Sequence, residues 1–129
     1  MSNITHQGVA NKVFPIKLLS EEASSYFANK SIDFIYVDAD HSESSVYKDI
    51  SIWYPKLKNT GIMSGDDWEL SSKTNTARYR LFPVKKQNHE ILSEDDEHPV
   101  RKAVKRFAIE HNLDIFTQGN FWFFRSNHE

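Results

Sequence analysis

The sequence IDFIYVDADH, residues 32–41, decides the fold. Its first six residues are nearly continuous in apolar, β-branched and aromatic side chains, which is typical of a strand buried on both faces. We therefore predict a fully buried, central parallel strand over residues 32–37. The polar residues Asp38 to His41 then follow the carboxyl end of that strand.

Helical and strand patterns alternate on either side of this segment. In chain order we expect an edge strand over 13–19, a helix from an N-cap at Ser20 to about Ala28, a helix from about Ser42 to Lys58 bent at Pro55, a strand over 62–64, a helix over 99–111, and strands over 113–117 and 120–125. Residues 69–97 carry weak signals and are expected to form a loop. This order predicts an α/β fold with a Rossmann-like, mostly parallel sheet, helices on both faces and a C-terminal antiparallel hairpin.

Composition narrows the class of protein. A chain of 129 residues fits a single domain, 1–129. The net charge of -2 lacks the basic excess that nucleic-acid binding requires. No apolar run is long enough to span a membrane, so we expect no membrane partner. The sequence has no cysteine, which suits a reducing cytoplasm.

Polar clusters follow the predicted strands at one edge of the sheet. They are Ser20–Glu21, Asp38–His41 and Gly65–Trp68. Ligands of open α/β sheets bind beyond the carboxyl ends of the strands, so these clusters are expected to border one crevice.

Several segments together resemble the class I, S-adenosylmethionine-dependent methyltransferases that act on small molecules. These segments are IDFIYVDADH (32–41), WYPKLK (53–58), GIMSGDDW (61–68), VRKAVKRF (100–107) and FWF (121–123). They occur in the family's order and at workable spacing, and the likeness extends from about Asn3 to Arg125. The resemblance implies a Rossmann-like methyltransferase fold.

The family's cofactor signature is missing from the sequence. That signature is a glycine-rich turn after the first strand and an acidic residue at the end of the second. The four glycines, Gly8, Gly61, Gly65 and Gly119, cannot form such a turn. We therefore expect a partial domain that lacks the N-terminal strands and binds S-adenosylmethionine weakly or not at all.

The resemblance also implies a metal site. Asp66 stands where the commoner family pattern has histidine, which makes the site more similar to that of the metal-dependent O-methyltransferases. By this likeness Asp38, Asp66 and Asp67 hold a divalent cation such as Mg²⁺, which prefers oxygen ligands. The alternative is that these aspartates cap turns or helices through backbone hydrogen bonds.

Other residues receive roles from the same resemblance. His41 would be the general base that takes the proton of the acceptor hydroxyl, unless it is simply a packed or solvated loop residue. Ser20, Glu21 and Asp38 would contact the cofactor. A helix N-cap at Ser20 and a favourable first-turn charge at Glu21 explain those two residues equally well, and we prefer that explanation for Glu21.

The expected function is metal-assisted O-methyl transfer from S-adenosylmethionine to a small molecule or sugar. The alternative is a non-catalytic, truncated module that acts in binding or assembly, so catalysis by this chain is left open. Metal-dependent hydrolysis at the aspartates is a weaker hypothesis, because the sequence has no motif typical of hydrolytic enzymes. Without the first strands, strand 32–37 would expose an apolar edge, and either residues 13–19 or a second copy of the chain would cover it.

Overall fold

The computed structural model describes residues 12–38, 40–74, 83–90 and 92–128. In chain order its elements are helix α1 (Ser20–Ser24), strand β1 (Ile32–Val37), helix α2 (Glu43–Trp53), a 3₁₀ turn (Tyr54–Lys56), strand β2 (Leu57–Gly65), strand β3 (Lys85–Lys86), helix α3 (Pro99–His111), strand β4 (Ile115–Gln118) and strand β5 (Phe121–Arg125). None of these helices is long and apolar enough to cross a membrane.

The strands form one sheet in the order β1-β2-β5-β4-β3. β1 runs parallel to β2, as a strand-helix-strand connection predicts, and the pairs β2–β5, β5–β4 and β4–β3 are antiparallel. The expected α/β fold with a C-terminal antiparallel hairpin is confirmed. Because Val37 is the register partner of Gly65, the loops after β1 and β2 leave the sheet side by side.

The core lies between one face of the sheet and the helices α2 and α3. Its largest fully buried side chains are Trp122, Phe107, Phe124, Ile50, Leu57, Met63, Ile115 and Val104. The predicted apolar stripe of α3 supplies Val100, Ala103, Val104, Phe107 and Ala108 to this core. On the opposite face Phe34 and Tyr36 are exposed, so the described helices cover one face of the sheet rather than the expected two.

The prediction that β1 is fully buried is wrong. β1 lies at the end of the sheet and has β2 as its neighbour on one side. Ile35 and Val37 pack against the core, whereas 56% of the surface of Phe34 is exposed. A continuous apolar run therefore did not indicate a central strand here, because the run cannot report whether a second neighbour is present.

Four local expectations also need correction. The segment before α1, residues 13–19, forms no strand, and Ser20 is the first residue of α1 rather than its N-cap, which is Leu19. The second helix ends at Trp53 instead of Lys58, since Pro55 starts a 3₁₀ turn and β2 begins at Leu57. The short strand expected at 62–64 is thus the end of a longer one.

The C-terminal half matches its prediction closely. Helix α3 starts at Pro99 and ends where Asn112 adopts a left-handed conformation, a common C-terminal stop. Gly119, with a φ of 59°, turns the chain from β4 into β5. Strand β3, which pairs with β4, lies within the segment expected to be a loop.

Candidate active site

The candidate site lies where the loops after β1 and β2 meet. His41 and Asp67 come from these two loops, and Nδ1 of His41 lies 2.7 Å from Oδ2 of Asp67. An imidazole that donates its Nδ1 proton to a carboxylate has a lone pair on Nε2 and can accept a proton there. The His41 side chain is 57% exposed, so a ligand can reach it.

A network of hydrogen bonds fixes the position of Asp67. Oδ1 of Asp66 accepts the backbone N–H of Asp67 at 2.8 Å and the side-chain amide of Asn120 at 2.7 Å. The backbone carbonyl of Asp66 accepts a hydrogen bond from the Trp122 indole at 3.1 Å. Asp67 itself has a φ of 67°, a conformation that aspartate tolerates better than most residues. The loop after β2 is therefore anchored to the β4–β5 hairpin.

Asp40 organises the loop on the side of His41. One of its carboxylate oxygens accepts the backbone N–H of His41 at 2.7 Å, and the other accepts the Ser45 hydroxyl at 3.1 Å. The hydrogen bond from His41, followed by that from Ser45, lowers the pKa of Asp40. Ser42 caps α2 by accepting the backbone N–H of Ser45. These bonds hold His41 directly ahead of the helix.

Asp38, Asp66 and Asp67 border one small cavity between the two loops. Burial raises the pKa of the nearby Tyr36, and the negative charges of Asp66, Asp38 and Asp67 raise it further. Across residues 12–38, 40–74, 83–90 and 92–128, however, no group of three His, Cys, Asp or Glu side chains is arranged to hold a metal ion. Asp66 is bonded to Asn120 and Asp67 to His41, so two of the three predicted Mg²⁺ ligands already have protein partners.

An open groove of about 500 Å³ follows β1 and meets this cavity at Asp38, which lines both. Ser20 lies in the wall of the groove, where its hydroxyl accepts a hydrogen bond from the Trp53 indole at 2.6 Å. Glu21 is on the surface, with Oε2 at 3.4 Å from Nζ of Lys48. Of the proposed cofactor contacts, the structure therefore brings Ser20 and Asp38 to one groove and leaves Glu21 beside it.

Sequence reasoning did not identify Asn120 as part of the site. Asn120 is buried, and its Oδ1 accepts the backbone N–H of Glu69 at 2.8 Å. The sequence signal was an asparagine beside Gly119, which indicates a turn but not a partner. Trp68, the last residue of the Gly65–Trp68 cluster, is a buried core residue.

Comparisons with known proteins agree with this architecture. A family model described as a methyltransferase domain matches residues 1–68, just over half of the 129-residue chain. A solved structure of a protein from Corynebacterium glutamicum is similar with a TM-score of 0.63 at 14% sequence identity; the match covers 99% of this chain and 56% of the other. The chain thus spans little more than half the length of that protein, with which it shares its fold. No curated protein matches the sequence.

Proposed function

This chain belongs to the methyltransferase-domain family, as its resemblance to the class I enzymes indicated, and we propose that it serves methyl transfer from S-adenosylmethionine to a hydroxyl of a small molecule or sugar. The observation that carries the proposal is the 2.7 Å contact between His41 Nδ1 and Asp67 Oδ2 at the ends of adjacent parallel strands. In sheets of this type that edge is where ligands bind.

His41 acts as the general base. When bound, the cofactor supplies an electrophilic methyl group, which leaves sulfur as a new carbon–oxygen bond forms. Nε2 of His41 takes the proton of the attacking hydroxyl, and the carboxylate of Asp67 stabilises the resulting imidazolium. Asp67 therefore acts as a positioning residue, and Asn120 supports it by holding Asp66.

The groove along β1 is the proposed place of the cofactor. Its volume of about 500 Å³ is in the range of small-molecule sites, and its wall includes the Phe27 and Tyr36 rings and the Asp38 carboxylate. Aromatic rings suit an adenine base, and a carboxylate suits the cationic part of the cofactor. Asp38 and Ser20 would hold it, and a contact from Glu21 stays a prediction.

Magnesium bound by Asp38, Asp66 and Asp67 also stays a prediction. The described carboxylates do not fit a metal site as they stand, so the proposed mechanism contains no metal step. If His41 suffices as the base, the rate in excess EDTA will equal the rate in millimolar Mg²⁺. A rate that depends on Mg²⁺ would mean that the aspartates rearrange around the ion.

The test is a transfer assay on the full chain. The chain is incubated with millimolar S-adenosylmethionine and a panel of phenolic and sugar acceptors, and S-adenosylhomocysteine is measured. His41→Gln should lower the rate by about 10²- to 10⁴-fold, the usual contribution of a general base. His89→Gln is the matched control, because His89 is also an accessible histidine beside a carboxylate, that of Asp114 at 3.5 Å.

A second function is supported by a different observation. The absence of a glycine-rich turn and the exposed apolar edge at β1 favour a non-catalytic module in which a second copy of the chain covers that edge. A second β1 along this edge would cover the groove proposed for the cofactor, because residues of β1 line that groove. A chain that forms a dimer and neither binds the cofactor nor transfers methyl would support the non-catalytic function. Because the sequence has no cysteine, we place either function in the cytoplasm.

A further inference from the structure

A second cavity, of about 420 Å³, borders the loop that carries Asp67. Four parts of the fold form it: Trp68 and Glu69 from the loop after β2, Val84 and Lys85 from the segment at β3, Arg101 from the first turn of α3, and Thr117 and Gly119 at the end of β4. Because Trp68 directly follows Asp67 in the chain, this cavity adjoins the proposed catalytic pair.

Arg101 is a fixed cation in the wall of this cavity. Its Nε donates to the backbone carbonyl of Trp68 at 3.3 Å, its Nη2 lies 3.3 Å from Oε2 of Glu69, and its guanidinium is 5.4 Å from the centroid of the Trp68 ring. A guanidinium has five N–H donors, so these contacts orient Arg101 without exhausting its capacity. Its side chain is partly accessible to solvent.

Lys85 adds a second positive charge. The two lysines of β3 differ, because the neighbouring Lys86 pairs with Asp114 at 3.6 Å, whereas Lys85 forms no ion pair within the described ranges and lines the cavity. With Arg101 and Lys85 against the single carboxylate of Glu69, the lining carries an excess of positive charge. An anion entering the cavity would be attracted.

The rest of the cavity wall is apolar or neutral. Pro83 and the exposed side chain of Val84 form an apolar surface, and the buried Trp68 ring adds little accessible area to it. Beside it, the Gln87 amide donates to the Thr117 hydroxyl at 2.8 Å, so these polar groups are already engaged. A pocket with an apolar body and a few fixed charges is typical of small-molecule sites.

We propose that this cavity binds a small organic acid, a carboxylate on a flat apolar body, with the carboxylate held by Arg101 and Lys85. Resting on the proposed function, we also propose that such an acid is the methyl acceptor. The carboxylate would set the orientation of the acid in the cavity.

The test uses 4-hydroxybenzoate as the probe and the full chain without cofactor. Binding is followed by NMR through the Trp68 indole and the backbone amides of Lys85 and Arg101. We expect saturable shifts at these positions, and at least about tenfold weaker binding of the neutral isostere 4-hydroxybenzamide, because charge-assisted hydrogen bonds would be lost.

Substitutions test whether binding of the acid depends on the positive charges in the cavity or only on an intact fold. Lys85→Gln should weaken binding of the acid about 3- to 10-fold, whereas Lys86→Gln, on the same strand but outside the cavity, should not. Arg101→Gln should weaken it more, although this variant also loses the contact with Glu69. The exposed Lys85→Gln keeps the test valid if Arg101→Gln does not fold.

Any one of four results would rule out the proposed site. These are equal affinity for the acid and the amide, equal effects of the two lysine variants, NMR shifts confined to other residues, and no saturable binding at millimolar probe. The readout is independent of methyl transfer. A chain that binds the acid as expected and transfers no methyl would support the site and contradict the proposed function.

Discussion

At the scale of single residues, the candidate site depends on one backbone conformation. Asp67 has a positive φ and its carboxylate contacts His41, and the Asp66–Asn120 contact ties this loop to the β4–β5 hairpin. Such conformations are uncommon in residues other than glycine and cluster at functional sites.

Asp67→Asn tests the positioning role without disturbing the backbone, because asparagine also tolerates a positive φ. The neutral amide cannot stabilise an imidazolium, so the transfer rate should fall by about 10- to 10⁴-fold while cofactor affinity is unchanged. Nitrogen NMR of the imidazole supplies an independent readout: the Nδ1–H tautomer of His41 should lose its preference in the variant. An unchanged rate and tautomer would rule out this role.

Lys105 is a second residue in unusual surroundings. It is 7% exposed, and its amine donates to Oδ1 of Asn88 at 3.3 Å. Burial lowers the pKa of Lys105, the positive charge of Arg101 lowers it further, and Glu90 and Asp96 oppose the change. Folding therefore disfavours the charged form of this amine.

Lys105→Met should raise the free energy of unfolding at neutral pH by about 1 kcal/mol, because an apolar side chain removes the cost of burying a charge. The unfolded chain holds the Lys105 proton up to its ordinary pKa of 10.5, and the folded chain releases it at lower pH. Between these two values the stability of the wild type rises with pH relative to the variant. Urea unfolding of both proteins between pH 7 and 10 measures the difference in their free energies of unfolding. A variant less stable than the wild type at pH 7 would contradict the prediction.

At the scale of secondary-structure elements, the two edges of the sheet differ. Strand β3 has two residues, both exposed lysines, which is a common protection against strand addition. Strand β1 has six residues and presents Phe34 and Tyr36, with the ion pair of Asp33 and Lys58 at 3.0 Å near its start. The β1 edge therefore has much less protection than the β3 edge.

The parallel pair of strands packs unusually closely on the hairpin at Gly65. A Cβ added to Gly65 would lie 2.6 Å from Cε2 and 2.8 Å from Nε1 of the Trp122 ring, which is fully buried. The same indole donates to the carbonyl of Asp66, so this contact joins β5 to the loop that carries the site.

Gly65→Ala should lower the free energy of unfolding by about 1–3 kcal/mol, since the buried Trp122 ring has no space to move. Because the Trp122 indole bonds to the Asp66 carbonyl, the substitution should also displace the Asp66 loop and so lower the methyl-transfer rate. Lys58→Ala, an exposed change on the same strand, should cost at most about 1 kcal/mol. Thermal and urea unfolding compare the two, and a Gly65→Ala protein as stable as Lys58→Ala would show that the packing here is looser than described.

At the scale of the whole molecule, the exposed apolar side chains are concentrated in the N-terminal part of the described chain. They are Val13, Phe14, Ile16, Leu18, Leu19, Tyr26, Phe34 and Tyr36, compared with Val84 and Phe121 elsewhere. Residues 13–19 form no strand against β1, so they do not complete the sheet. A second copy of the chain that pairs its own β1 along this edge would satisfy the backbone groups of both.

In the absence of cofactor, we expect the protein to be a dimer in light scattering at micromolar concentration. Phe34→Lys should shift it to monomer, because Phe34 is 56% exposed on β1 and a lysine there opposes close approach. Phe121→Lys is the matched control, since Phe121 is also about half exposed but lies on β5, away from this edge. A wild-type monomer would show that the β1 edge is stable without a partner.

The sequence by itself determined the elements whose signals are local. The apolar stripe of α3 and its start at Pro99 predicted the helix, and Gly119 predicted the hairpin. The order of strand and helix patterns also predicted that β1 and β2 pair in parallel. Polar residues at the two strand ends indicated where to expect a candidate site, because that rule depends on chain order and not on packing.

Only the tertiary structure decided what each of these residues contacts. The pairing of His41 with Asp67, the bond from Asn120 to Asp66 and the exposure of β1 all depend on segments far apart in the chain. A continuous apolar run predicts a strand, but its burial depends on which neighbours lie beside it, and an aspartate at a strand end has the same sequence signal whether it holds a metal ion, a helix or a histidine. The physical reason is that backbone preferences are local, whereas burial and hydrogen-bond partners are set when distant segments pack together.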